Sequence, residues 1–158
     1  MKNSELYQKT VDILVQAYFN DTLVHQSCSA CAVGNIVAAN KGKTPSEYSK
    51  EVMKRGNFQN GAVKTWTAVF ATSEGKQKIH QRYLKFDFIK KEIASTGYTW
   101  KELARIEFAF ESASKGLSED EHIFNGLMAV IDVLDKIHEN ADQEGSTATK
   151  ERFKKVCV

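Results

Sequence analysis

Residues 118–137 read Ser118-Glu119-Asp120-Glu121-His122-Ile123-Phe124-Asn125-Gly126-Leu127-Met128-Ala129-Val130-Ile131-Asp132-Val133-Leu134-Asp135-Lys136-Ile137. Ile123, Leu127, Val130, Leu134 and Ile137 recur at alternating spacings of four and three. That is the repeat of one helix face; a strand buried on one side would alternate at two. Phe124, Met128 and Ile131 widen the stripe, so the helix needs more than one neighbour to cover it. The spacing predicts a helix over 119–141 that forms the spine of a bundle. Its surplus apolar surface favours a homodimer.

Start signals carry the same reading outward. Thr44-Pro45-Ser46-Glu47 has a hydroxyl cap, proline at the first helical position and glutamate at the third, the pattern of a reciprocal capping box. Thr99-Trp100-Lys101-Glu102 and Ser118-Glu119-Asp120-Glu121 repeat it, each with acid where the positive end of the helix dipole lies. Stops are marked by Lys54-Arg55-Gly56, Gly97 and Gly116. The predicted helices are 4–19, 28–40, 45–55, 61–73, 76–96, 100–114 and 119–141. The expected fold class is all-α, an irregular single-domain bundle of about six to seven helices over 1–158, with 142–158 a mobile C-terminal tail.

A chain of 158 residues can bury a real core without metal or disulfide. Its 42% hydrophobic and 27% charged residues exclude a disordered chain. Three cysteines are too few and too odd for a secreted disulfide framework, and a cytoplasmic setting follows. No apolar run approaches the roughly 20 residues that cross a bilayer, so no membrane partner is expected. The near-neutral total hides an asymmetry: Lys41 to Lys91 carries twelve basic residues against four acidic, and Glu92 to Glu144 four against twelve. Either the halves pack together and neutralise, or one of them is a charged binding surface.

His25, Cys28 and Cys31 form the one compact group of soft ligands. Two thiols at this spacing are half of a tetrahedral zinc site, which His25 and the distant Cys157 would have to complete. A thiol-redox pair would need Cys28 at a helix N-terminus, with Ser27 as its cap. The neighbours Ala30, Ala32, Gly34, Ala38 and Ala39 favour a third reading. In it the cysteines are small hydrophobes on a face where another helix comes close, and Gly34 permits the approach.

Carboxylates supply another candidate. Glu107 follows Leu103 by four and precedes Phe110 by three, which draws it toward the apolar seam as a perturbed acid. With Glu111, and with Asp135 and His138 on the spine, it outlines a bundle metal site. The one Glu-x-x-His pair, Glu119 and His122, falls at a helix start and is expected to face water. Lys78, Arg82 and Lys85 lie on a basic helix near Tyr48, Phe58 and Trp66. They form a candidate surface for nucleic-acid phosphates, although no base-reading motif accompanies them. No phosphate loop, dinucleotide fingerprint, nucleophile elbow or zinc-protease motif is present in the sequence. The function expected is therefore non-catalytic: a small cytoplasmic binding or accessory protein with an unidentified protein or small-molecule partner. A zinc-stabilised domain and a nucleic-acid binder are the alternatives.

Overall fold

Helix starts and stops chosen by side chains fix the six helices of this computed structural model, which describes residues 4–25, 30–54, 66, 70 and 86–138. They are α1 (Ser4–Phe19), α2 (Ala32–Asn40), α3 (Pro45–Lys54), α4 (Phe86–Ala94), α5 (Trp100–Glu111) and α6 (Glu119–Ile137). Among the described residues the regular structure is helical throughout, around one hydrophobic core. None of these helices is long and apolar enough to cross a membrane. Trp66 and Phe70, the described residues of the predicted 61–73 helix, are both helical. The first ten residues of the 76–96 helix, the Gly56–Gly61 turn and the 142–158 tail lie outside the described residues.

The capping boxes at Thr44 and Thr99 are reciprocal. Glu47 N–H donates to Thr44 Oγ1 at 3.2 Å and Thr44 N–H to Glu47 Oε1 at 3.1 Å; the Thr99–Glu102 pair does the same at 3.2 and 2.8 Å. The Thr44 N–H holds the Glu47 carboxyl below its usual range. At Ser118 only half of the box forms. Glu121 N–H donates to Ser118 Oγ, but the Glu121 carboxylate reaches one residue further back, to Leu117 N–H at 3.0 Å. Nor does Gly116 end α5: Ser112 caps it, its hydroxyl donating to Phe108 O at 2.6 Å.

Two helices end in the same hydrogen-bonded turn from different residues. After α2, Gly42 sits at φ +68° while its N–H reaches Ala39 O and Lys43 N–H reaches Ala38 O. After α1 the left-handed position is held by Asp21 at φ +58°, with Asp21 N–H on Tyr18 O and Thr22 N–H on Ala17 O. Glycine is the usual occupant of this position; an acidic side chain there is uncommon.

The predicted spine shares the centre with a shorter helix. α6 buries a stripe (Gly126, Leu127, Val130, Ile131, Leu134, Ile137) between α1 and α5 and exposes Asp132 and Lys136. The short α2 buries every residue from Ala32 to Ala38 and packs on α1, α3 and α5. A helix apolar all round belongs inside, whatever its length. α5 and α6 run antiparallel and come closest at Gly126, where an added Cβ would stand 2.7 Å from a ring carbon of Phe110. At the other end of the pair, Thr10 Oγ1 donates to Leu6 O, so it accepts from Tyr98 Oη at 2.8 Å. Tyr98 in turn accepts from His138 Nε2 at 2.9 Å. This buried chain joins α1, the start of α5 and the end of α6.

One set of ion pairs ties the basic segment to the acidic one. Lys41, at the end of α2, reaches Glu92 of α4 at 2.7 Å and Glu51 of α3 at 3.2 Å, and Lys43 also pairs with Glu51. Glu92 is 4% exposed, so its charge needs a partner.

Candidate functional site

α2 starts four residues later than its sequence predicts, at Ala32, and its cap is a cysteine. Cys31 has the extended backbone of an N-cap (φ −74°, ψ −179°), and its Sγ accepts from Gly34 N–H at 3.3 Å. Sulfur here does what a serine or aspartate oxygen usually does. Cys31 therefore precedes the helix and does not lie inside it. Cys28 itself, with Ser27, lies outside the described residues. Cys31 is fully buried and not in a disulfide.

Glu107 of α5 crosses to the same helix end. Its carboxylate is 1% exposed, accepts from Val33 N–H at 3.5 Å and is hydrogen-bonded to the Cys31 thiol. A buried acid over the first turn of a buried helix meets the unbonded N–H groups and the positive end of the dipole. Burial first, then the Glu107 charge, pushes the Cys31 thiol well above its ordinary range, against a smaller downward pull from Gly34 N–H. The sulfur stays a protonated thiol at neutral pH, which makes it a poor nucleophile and a poor metal ligand.

His25 stands beside this pair. Its ring lies between those of Phe110 (centroids 4.1 Å, planes 11° apart) and His122 (3.5 Å, 9°). Nδ1 is 3.4 Å from Glu111 Oε2 and Nε2 is 3.3 Å from His122 O. Both partners are acceptors, so a ring N–H is the donor in each contact. His122, expected to face water, is half-buried because the first turn of α6 closes over His25. A cleft of about 510 Å³ opens between these histidines and the Lys115–Glu119 turn.

The structure thus brings Cys31 to Glu107 and His25 to Glu111 and His122, and nothing of the bundle metal site assembles. His138 is locked in the Tyr98 network, about 13 Å along α5 from the level of Glu107. Among the described residues no three His, Cys, Asp or Glu side chains are placed to share a metal ion. Lys78, Arg82 and Lys85 lie outside the described residues. Tyr48 and Trp66, the two described aromatics of the three placed beside that surface, are fully buried in the core.

Compared with family models, curated proteins and solved structures, the chain matches none.

A second concavity is larger and went unnoticed in the sequence. A trough of about 690 Å³ runs between α1 and the α2–α3 corner. Its α1 wall (Glu5, Gln8, Asp12, Gln16, Asn20 among others) follows one helix face for about 22 Å. Ile13, Ala17, Ala39 and Pro45 supply apolar surface. Asn35 closes its inner side. The Asn35 amide nitrogen donates inward to Thr22 O and Ala30 O, both at 2.9 Å, and to Cys31 O at 3.1 Å. Three carbonyls around one atom fix it as the nitrogen. Asn35, 5% exposed, is one of the residues that line the trough, and no described residue donates to its Oδ1.

Proposed function

We propose that this chain is a small non-catalytic binding protein of the cytoplasm that takes its ligand in the trough between α1 and the α2–α3 corner. The observation that carries the reading is Asn35. A nearly buried amide, its nitrogen pinned by three inward hydrogen bonds and its oxygen given no donor by any described residue, lines a concavity whose size and mixed lining suit a ligand. An acceptor held this rigidly costs a ligand little to use. Cys31 and Glu107 support a scaffold role for the neighbouring chemistry, since both are spent on the end of α2. A thiol kept protonated also suits a reducing compartment.

The test is an amide-resolved NMR titration with a set of small non-peptide amides and amines. The reading expects shifts at the Asn35 side-chain amide, Gln16 and Ala39, abolished by A39W, which fills the trough from an exposed position. Shifts confined to the His25–His122 cleft, or no shifts at millimolar fragment, would refute it.

A further inference from the structure

We infer that the stacked His25–His122 pair is an acid-sensitive latch, which holds the first turn of α6 against α5 with one imidazolium charge and releases it with two. The latch lies apart from the trough and does not depend on it. The His25 side chain is 7% exposed and sandwiched, with Phe110 of α5 against one face at 4.1 Å and His122 of α6 against the other at 3.5 Å. Through this ring stack the start of α6 is fastened to α5.

One charge suits the closed arrangement. An imidazolium at His25 has an acceptor for each N–H, with Glu111 Oε2 3.4 Å from Nδ1 and His122 O 3.3 Å from Nε2. The face of Phe110 attracts a cation as well.

A second charge does not suit it. Two parallel cationic rings 3.5 Å apart repel strongly where little water reaches. His122 Nε2 is buried without a hydrogen-bond partner among the described residues, so the imidazolium form of His122 would hold an N–H with no acceptor. His122 also stands in the first turn of α6, where the helix dipole opposes a cation.

The other charges around the pair do not cancel this. Glu111 already faces His25, and Glu107, one turn earlier on α5, is committed to Val33 N–H. On the α2 side Cys31 is a neutral thiol. Lys115, Glu119, Asp120 and Glu121 are exposed, so water and salt screen them, and the Glu121 carboxylate is held at Leu117 N–H. The open form therefore binds a proton that the closed form refuses, and acid favours opening. The buried stripe of α6 begins at Gly126, so the turn from Ser118 to His122 can lift while the core stays packed. The cleft beside the histidines then widens.

The test follows the histidine ring resonances of the full chain by NMR from about pH 7.5 to about pH 5, the range in which imidazoles take up protons. The expected result is a ring-to-ring NOE between His25 and His122 that is present at the upper pH and lost at the lower, while NOEs among Leu127, Val130 and Leu134 are unchanged. H122F keeps on His25 a ring that cannot be protonated. Its contact should persist through the acid range, and its urea midpoint should fall less with acid than that of the parent. E111Q removes the facing carboxylate and should move the loss of contact toward neutral pH. A parental ring contact that survives at the lower pH overturns the latch, whether or not both rings have titrated. So does equal acid sensitivity of parent and H122F, an E111Q transition at the parental pH, or core NOEs that vanish in step with the ring contact, which would report global unfolding. If H122F fails to fold, the parental ring contact decides by itself.

Discussion

Replacing Gly126 by alanine sets two calculable effects against each other. In a helix interior the exchange is favourable by about 1 kcal/mol, because alanine loses less backbone freedom. In this structure the new Cβ would stand 2.7 and 2.9 Å from two ring carbons of Phe110 and 3.0 Å from its carbonyl oxygen. The ring cannot simply swing aside, since Phe110 is fully buried and stacked on His25, so α5 and α6 must separate. Overpacking of this kind costs roughly 1–3 kcal/mol. Taking the middle of that range and subtracting the propensity gain, G126A should be destabilised by about 1 kcal/mol, a fall of roughly 2–4 °C in Tm for a domain of this size. Urea unfolding should show a lower midpoint at unchanged slope, and the ring resonances of His25 and His122 should move. A midpoint equal to or above that of the parent would refute the reasoning, because it would mean that the helix gained its propensity without meeting Phe110.

Three further outcomes follow from particular contacts. Cys31 in the native protein should alkylate slowly near neutral pH and react at the rate of a free thiol once unfolded, as intact mass would report; rapid native labelling would contradict its burial against Glu107. Burial raises both Cys31 and Tyr98 above their ordinary ranges. Their contribution to stability is therefore full below the unfolded values of about 8.5 and 10 and is lost as pH rises beyond them. Tm should fall steadily between pH 8.5 and 11, and a flat profile would oppose this. Thr99→Ala and Ser118→Ala each remove the hydroxyl that accepts from the third helical N–H, while the Glu102 carboxylate keeps its bond to the backbone N–H of residue 99. Each should cost about 1 kcal/mol or less by denaturant titration.

The bundle was legible where local chemistry decides. α3, α5 and α6 start where Thr44, Thr99 and Ser118 cap them, because hydroxyl caps and nearby acids act within four residues. The start of α2 was less legible. Cysteine is not among the habitual caps, so Ser27 looked the better start and Cys31 looked like a helix interior; only its bond with Gly34 and its contact with Glu107 reveal the role. Length points to α6 as a central helix, and the Ala32–Ala38 run, apolar but for Asn35, marks α2 as a second interior helix. Small neighbours single out Gly34 as a place of close approach, and no such pattern singles out Gly126. The contact with Phe110 falls at Gly126, on a partner that no local pattern names.

What looked like a site and what looked like filler exchange roles for one physical reason. A helix buried on every side cannot satisfy its first N–H groups with water, so polar atoms must be brought to it from elsewhere in the chain. Cys31 and Glu107, the residues that most resemble reactive groups, are the ones drawn there. Asn35 answers the same need in reverse, donating to carbonyls of the turns that enter α2. An amide has two ends, and one end fully used for structure holds the other rigid and open. A thiol or carboxylate buried for capping is consumed by it. Asparagine at the rim of the same helix is not, and that difference is why the proposed function is placed at Asn35 and not at the buried thiol or carboxylate.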